Sequence, residues 1–493
     1  MQLKEVLTNL HVLAFYGDEH AEVRGVAADS RKVGPGYIFA AIRGNTFDGH
    51  DFLPSAREGG ANTVLSEQPP SFYLSRRWNW VRVPAIRPAM ALAAEAVLGH
   101  PDRRVRLIGI TGTSGKTTTT YLLEAIFREA GARPAVLGTV STRFGGVETP
   151  AEHTTPESPD VVAFARHVTD AGGGPLIMEV SSHALSLYRV YGLAFDTAVF
   201  TNFGRDHLDF YPDLDSYLDA KRRLFDGRNG PAPRRAVFNL DDAHGRRLFE
   251  EFPGEKYGTG RAAGAHARIL EHRFTPSGLQ FALEWQGRRH ELATPLSGEG
   301  NLQNAVQAFA CAAACGVDPE AIRRALAGMP AVPGRLEEVL PGHPVRVFVD
   351  FAHKEDALAN ALQLLRGLTP GRLIVVFGCG GNRDRGKRPR MGAVAARLAD
   401  VVVLTSDNPR REVPEAILDD IVPGVREVRE DFVRIADRRE AIAEAIRLAR
   451  PGDTILLAGK GHEREQILAD HTVPFDDRTV ALGLLRAAKG GAS

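Results

Sequence analysis

Residues 106–120 read RLIGITGTSGKTTTT, an apolar strand running into a glycine-bearing turn, with Lys116 and Thr117 at the expected start of a helix. This arrangement receives phosphate. Backbone N–H groups from Gly112 through Thr113, Ser114, Gly115, Lys116 and Thr117 to Thr118 can point at phosphate oxygens, and the helix dipole adds to their pull. Lys116 supplies a point charge, and the Thr117 hydroxyl a magnesium ligand. The general phosphate loop carries a glycine five positions before Gly115, where Ile110 stands, so this is a variant loop. Nucleotide binding follows from the segment; the use made of the nucleotide does not.

Further acids stand where they could meet a metal ion on those phosphates. PLIMEV ends on Glu179, and TNFGRDHLDF brings Asp206, His207 and Asp209 to the end of another apolar run. Taken singly, a strand-end carboxylate often caps a helix and a lone histidine is often structural. The phosphate loop nearby favours the metal reading. Lys221, in SYLDAKRRLF, reads from spacing alone as a solvated helix lysine.

The elements that must position these groups fall into three parts. Residues 1–100 are rich in turn signals, among them DSRKVGPGYIF and RGNTFDGH, and end in the helical pattern RPAMALAAEAVLGH before PDRR. Over residues 101–333 the strands RLIGIT, PLIMEV, DTAVFTNF and RAVFNL alternate with helices, which predicts an α/β domain with a mostly parallel sheet. Beyond PAVPGR, residues 334–493 restart the rhythm with VRVFVDFAH, RLIVVFGCGG, ADVVVLTSDNPR and DTILLAGKGHE, a second α/β domain. In open parallel sheets ligands gather beyond the carboxyl ends of the strands, where the chemistry-bearing residues of this chain lie.

Lys plus Arg and Asp plus Glu balance at 61 each, so no global field draws the chain to nucleic acid or an anionic membrane. Three cysteines, Cys311, Cys315 and Cys379, lack metal-ligand spacing and suit a reducing cytosol. MQLKEVLTNL contains no signal-peptide hydrophobic region. The longest charge-free stretch, Gly300 to Val317, holds Asn301, Gln303, Asn304 and Gln307 and reads as a buried helix, so no membrane span is expected.

Together GTSGKTT, HTTPESPD, MEVSSHAL, NFGRDHLDF, GEGNLQNAVQA, PGRLEEV, VDFAHKEDAL, GCGGNRDRGKR, SDNPR and GKGHE resemble the Mur ligases of peptidoglycan precursor synthesis, over nearly the whole chain. The resemblance implies three domains: an amino-terminal one for a uridine nucleotide, a central P-loop ATPase-like one with a parallel sheet, and a Rossmann-like carboxyl-terminal one for the incoming amino acid. It implies an ATP-dependent ligase that activates the D-glutamate carboxylate of UDP-N-acetylmuramoyl-L-alanyl-D-glutamate as an acyl phosphate and passes it to an amine. By the same resemblance Ala28, Ser30, Asn45, Thr46 and Phe47 touch the uridine nucleotide, and Thr154, Thr155, Ser181 and Arg189 hold the muramoyl dipeptide. Glu179 and His207 match the magnesium ligands, joined by Thr117, and Lys221 matches a lysine that the family carboxylates to a carbamate. Asn301 and Asn304 match an adenine-side motif, Arg335 and Asp350 would contact ATP from the third domain, and His353 follows that strand. The expected protein is a cytoplasmic monomer acting on small molecules.

Asp407, Asn408, Pro409 and Arg410 form a DNPR motif that in similar enzymes marks meso-diaminopimelate as acceptor. The physical reason is a second carboxylate, absent from lysine and ornithine, which a guanidinium can grip through two parallel hydrogen bonds. Arg383, Gly459 and Glu463 match further amino-acid contacts, with Glu463 suited to the distal ammonium. Leu187 stands two residues before Arg189 where the family has glutamine, and AHKEDAL, with Lys354 and Glu355, replaces AHTPDAL. An acceptor such as ornithine or lysine remains an alternative. So does a folylpolyglutamate or cyanophycin type ligase, which should lack the DNPR and GKGHE pair. A non-catalytic nucleotide-binding module would need no acceptor pocket, and a dinucleotide oxidoreductase is disfavoured because GCGGNRDRG lacks GxGxxG spacing.

Overall fold

The protein was obtained as a computed structural model, which describes residues 1–44, 47–275 and 278–490. The chain divides into two compact units: Met1–Arg205 with Asp213–Arg268 and Val306–Ile322, and Asp206–Pro212 with Ile269–Ala305 and Arg323–Ser493.

The first unit holds two sheets. In the amino-terminal one, Gly25–Ala27, Tyr37–Ala40, Thr63–Ser66 and Asn79–Arg82 run parallel, and Ala14–Tyr16 joins antiparallel at one edge. The helix Ile86–Leu98 follows because its buried Ile86, Ala89, Met90, Ala93 and Ala94 recur at the spacing of one helical face. Gly99 ends it in the left-handed conformation, at φ 72°.

In the second sheet Leu107–Thr111 lies between Leu176–Glu179 and Thr197–Phe200, all parallel, and Arg235–Asn239 and Glu255–Gly260 extend it on one side. Ala135–Leu137 extends it on the other. There an antiparallel hairpin, Ser141–Phe144 with Val147–Pro150, closes the edge of a sheet whose central strands are parallel, as the alternation of strands and helices implied. Gly145 and Gly146, at φ 61° and 85°, supply the two positive-φ positions of a tight hairpin. Leu107, Ile108 and Ile110 are buried on the two faces of this strand, and the helix Lys116–Glu129 buries Leu122, Leu123, Ile126 and Phe127.

The second unit holds a sheet in the order Glu337–Glu338, Arg346–Asp350, Thr454–Ala458, Leu373–Phe377, Val401–Leu404 and Val433–Arg434, parallel except for its first strand. The helix Glu355–Leu368 buries Leu358, Ala361, Leu362 and Leu365 against it, again at one-face spacing. Gly278–Trp285 and Arg288–Thr294 pair antiparallel in this unit, a long alternating hairpin outside the strands read from sequence. Gly300 to Val317 is helical over Glu299–Ala314, as its lack of charge suggested.

Inside this unit Arg438 and Asp477 are both fully buried, with nitrogen and oxygen 2.6 Å apart. Arg438 also donates to the carbonyls of Ser406 and Ala458, each at 3.1 Å, so one guanidinium ties together the ends of the two strands that flank Leu373–Phe377.

Candidate active site

Strand register sets the first group of residues. Ile110 pairs with Glu179 and Thr111 with Phe200, so the glycine turn, the acid and the TNF segment leave the sheet at one level. Glu179 is fully buried. Its carboxylate accepts from Thr117 Oγ1 at 3.1 Å, from Thr139 Oγ1 at 2.9 Å and from the Thr139 backbone N–H at 2.8 Å. A carboxylate beside the hydroxyl of Thr117, at the helix start, is the donor set a hard divalent cation prefers.

The turn itself is braced from behind. Asn202 accepts from the Thr113 N–H through its carbonyl at 2.9 Å and from the Ser114 N–H through its side-chain oxygen at 2.9 Å. Those two amides are therefore engaged with protein, which corrects the expectation that every amide from Gly112 to Thr118 faces phosphate. The helix begins after Gly115, at φ 88°, and the first-turn amides of a helix point out of its start, the geometry that suits an anion. Asn202 was not singled out from sequence; its place next to the strand end was the available signal.

Lys221 differs most from its reading by spacing. It is buried, 1% exposed, and donates to the Gly112 carbonyl at 2.8 Å, while Lys116 donates to the same oxygen at 2.8 Å. The helix Leu214–Arg222 buries Tyr217, Ala220 and Lys221, and Leu224 and Phe225 continue the same face. That pattern was legible: a lysine on the apolar stripe is not a solvated one.

Thr155, Ser181 and Arg189 form a second cluster. Thr155 is fully buried, donates to the Glu179 carbonyl at 2.8 Å and accepts from the Ser181 N–H at 3.2 Å, so here it fixes the Glu179 strand end. Ser181 caps the helix Ser182–Ser186 by accepting from the Ala184 N–H. Thr154 Oγ1 lies 3.1 Å from Thr139 Oγ1, whose one hydrogen goes to Glu179. Arg189 is paired with Glu157 at 2.9 Å, and Glu157 pairs with Arg87 on its other oxygen at 3.0 Å. Arg87 and Glu157 were missed from sequence. Arg87 also donates to the Leu187 carbonyl at 3.5 Å, so this position contributes through its backbone whatever its side chain. Ala28 and Ser30 are half-buried around the Asp29-capped turn Ser30–Lys32, and Phe47 is exposed with its ring edge on Phe52. Asn45 and Thr46 lie outside the described residues.

The second unit carries the other residues. Asp206 pairs with Lys354 at 2.5 Å and with His207 Nε2 at 3.0 Å, so the lysine that replaces threonine in AHKEDAL orients the acid next to His207. His353 bonds the Phe351 carbonyl through Nδ1, and burial holds its imidazole well below the usual range. Asp350 accepts from the Leu336 N–H at 2.7 Å; burial pushes its carboxyl up to about 6, against the pull of Arg335. The Arg335 guanidinium lies over the Phe351 ring at 4.9 Å. Asn301 and Asn304 are bonded to each other at 3.3 Å.

The DNPR segment is held from two sides. Gly381 donates to the Asn408 carbonyl at 2.9 Å, and Arg410 returns a bond from Nη1 to the Gly381 carbonyl at 3.0 Å. On the other side the Asn408 side-chain oxygen accepts from Lys460 Nζ at 3.0 Å, and its amide nitrogen donates to Glu463 at 2.8 Å. Lys460 is fully buried and also bonds Glu463 at 3.1 Å, so Glu463 is pinned by two partners; this lysine of GKGHE was not read as functional. Burial raises the Glu463 carboxyl. Arg410 is half-buried beside Arg383 and feels Asp407 and Glu463, and burial leads the lowering of its pKa. Arg383 lies 3.4 Å from Asp209. Asp407 is buried and accepts from the Asn408 N–H, Pro409 is buried, and a side chain at Gly459 would meet Asp407 at 2.5 Å.

A Cβ at Gly381 would sit 1.9 Å from the Pro409 carbonyl oxygen. Gly381→Ala is therefore expected to push the DNPR segment away and to lower stability by about 2 kcal/mol, the scale of a forced overpacking. Urea unfolding of the variant measures it; an unchanged midpoint would mean that the two segments separate freely.

Three family models match the chain: Mur ligase family, catalytic domain, over residues 22–107; Mur ligase middle domain, over 110–312; and Mur ligase, glutamate ligase domain, over 334–461. A UDP-N-acetylmuramoyl-L-alanyl-D-glutamate--2,6-diaminopimelate ligase from Solibacter usitatus is 46% identical over 492 residues, covering 99% of this chain and 98% of the relative. One of the same description from Geobacter metallireducens is 42% identical over 499 residues, covering 97% of each. Among solved structures, a UDP-N-acetylmuramoyl-L-alanyl-D-glutamate--2,6-diaminopimelate ligase superposes with a TM-score of 0.69 at 31% identity, covering 99% of both chains.

Proposed function

The chain belongs to the Mur ligase family, and from that premise we propose that it joins meso-2,6-diaminopimelate to UDP-N-acetylmuramoyl-L-alanyl-D-glutamate, converting ATP to ADP and phosphate. The observation that carries the acceptor is that Asn408 links the two groups, donating from its side-chain amide to Glu463 at 2.8 Å and accepting at its carbonyl from Arg410 Nη1 at 3.5 Å. Diaminopimelate presents a second carboxylate and a second ammonium on one carbon, and a guanidinium with a carboxylate beside it complements that end. Lysine offers only the ammonium.

The roles of the other residues follow from the reading. Lys116 and the first-turn amides of Lys116–Glu129 hold the ATP phosphates and neutralise charge spreading over the transferring phosphoryl group. Thr117, Glu179 and His207, with Lys221 as its carbamate, are the proposed magnesium set, and the oxygen-rich partners of Glu179 support it. When bound, Mg2+ supplies Lewis-acid charge on the phosphate oxygens. Gly112, Thr113, Ser114, Gly115 and Thr118 shape the phosphate loop, Asn301 and Asn304 serve the adenine side, and Arg335 and Asp350 are further ATP contacts in this reading.

The D-glutamate carboxylate of the substrate attacks the γ-phosphorus, forming the acyl-phosphate P–O bond as the bond to ADP breaks. The neutral amine of diaminopimelate then attacks the acyl carbon, and the tetrahedral intermediate expels inorganic phosphate and loses a proton. The protein contributes positioning: Arg189, held by Glu157, fixes the muramoyl dipeptide with Ser181, Thr154 and Thr155 behind it, while Ala28, Ser30, Asn45, Thr46 and Phe47 hold the uridine nucleotide. Arg383, Asp407, Asn408, Pro409, Arg410, Gly459 and Glu463 hold the amino acid.

We infer three domains, 1–100, 101–333 and 334–493; the limits of the three family models support those boundaries. In this reading the enzyme is a cytoplasmic monomer that acts on small molecules; no helix among the described residues is long and apolar enough to cross a membrane.

The test is mass spectrometry of product from purified protein, ATP, Mg2+ and the UDP-linked dipeptide, with diaminopimelate, lysine and ornithine in separate reactions. Product mainly with diaminopimelate is expected, with lysine used only slowly and at high concentration. Product mainly with lysine or ornithine would keep the ligase and overturn the acceptor.

A further inference from the structure

Away from the groups used above, the end of the helix Ile86–Leu98 gathers three metal-ligating side chains within eight residues. Glu95, His100 and Asp102 each offer one ligand atom, and these atoms lie within 4.8 Å of one another. The local backbone brings them together. Gly99 and His100 are both left-handed, at φ 72° and 51°, and the His100 N–H donates to the Glu95 carbonyl at 2.9 Å, folding the chain back on the helix end. Pro101–Arg103 then forms a single 3-10 turn that presents Asp102 inward.

The cluster lacks the donors that its burial demands. Glu95 and Asp102 are each only 3% exposed, yet both carboxylate oxygens of Glu95 and Oδ1 of Asp102 have no hydrogen-bond donor among the described residues. Buried anionic oxygens without donors cost free energy, and two carboxylates side by side repel each other as well. Without an ion the pair meets those costs by holding a proton: burial first, then a side-chain hydrogen bond with Asp102 and its charge, push the Glu95 carboxyl up to about 9. A cation among them would relieve both costs.

We propose that Glu95, His100 and Asp102 form a structural divalent-cation site whose preferred ion is Zn2+. Two carboxylate oxygens and one imidazole nitrogen make a mixed donor set that suits Zn2+ better than Mg2+, which prefers oxygens throughout. The spacing agrees. His100 Nδ1 lies 3.4 Å from Glu95 Oε2. Metal–ligand bonds of roughly 2.0 to 2.2 Å at a tetrahedral angle put neighbouring ligand atoms about 3.3 to 3.5 Å apart. The His100 side chain is 34% exposed, which gives an ion a route in while the carboxylates stay dry. Asp102 uses its other oxygen, Oδ2, to accept from the Ala194 N–H at 2.9 Å. An ion here would therefore fasten the end of Ile86–Leu98 to the segment that follows Arg189.

The experiment offers Zn2+ alone, without nucleotide, to protein stripped with a chelator, then counts zinc retained after gel filtration by elemental analysis and reads Tm. Wild type is expected to retain about one zinc per chain and to gain about 4 °C in Tm. Glu95→Gln and His100→Asn should each lose that zinc and that gain, and asparagine tolerates the left-handed backbone at position 100. Glu179→Gln should keep both, since its change lies in the proposed magnesium set. Retention of zinc by Glu95→Gln and His100→Asn at the wild-type level would overturn the site. So would a wild type that retains none; a Glu95→Gln variant that then melts higher than wild type would assign the pair to a shared proton instead.

Discussion

Lys221→Ala is expected to lower turnover by on the order of 10³-fold while leaving the fold intact. The structure gives a physical reason for a group of this kind to change its charge. Lys221 and Lys116 place two ammonium groups on the single carbonyl oxygen of Gly112, and Lys221 is buried over the Tyr217 ring at 4.4 Å. Two cations at one acceptor repel each other. Loss of one proton to solvent would free the Lys221 amine to add CO2, and loss of a second would leave an anionic carbamate that keeps an N–H for the Gly112 bond and offers two oxygens to the magnesium set. Lys221→Arg should not restore activity, because a guanidinium stays charged and forms no such carbamate. Bicarbonate or acetate should partly restore Lys221→Ala, by placing a small anion where the side chain was. Steady-state phosphate release measures all three, and near-wild-type turnover by Lys221→Arg would remove the carbamate from the mechanism.

Arg410→Ala should raise KM for diaminopimelate by on the order of 10²-fold, leaving the slower use of lysine, measured at high concentration, within a few-fold of wild type. A guanidinium carries five N–H donors. Nη1 is engaged with the Gly381 carbonyl, an anchor that aims the fork rather than consuming it. Arg410→Lys should behave nearly like alanine toward the second carboxylate, since one ammonium cannot make two parallel bonds. Equal loss with both amino acids would identify Arg410 as a brace for the glycine turn. Rates of product formation with each acceptor distinguish these outcomes.

Much of this site was readable in one dimension because its parts are local. A phosphate loop is contiguous, so GTSGKTT exposes the lysine, the hydroxyl and the helix start together. The apolar strands ending on Glu179, Asp350 and Asp407 announced themselves by composition, and the structure puts each acid at or just past its strand end. Residues that act by supporting others were not visible. Asn202, Arg87, Glu157 and Lys460 sit in polar segments like many others, and their partners lie far away in sequence: Ser114 is 88 residues from Asn202, and Asn408 is 52 from Lys460.

The sequence by itself determined the alternation of strands and helices, the phosphate loop and the DNPR and GKGHE segments, because side-chain periodicity and turn chemistry are properties of neighbours along the chain. Tertiary structure decided the charges. Lys221 lies on the buried stripe of its helix, but only packing shows that the stripe meets the Gly112 carbonyl, 109 residues away. It likewise decided that Glu463 is pinned by Lys460 and Asn408, and that both Glu95 carboxylate oxygens and Asp102 Oδ1 are buried with no donor among the described residues. Periodicity says which face of an element is buried; what that face is buried against depends on contacts between distant segments, and those contacts set the electrostatics on which this chemistry depends.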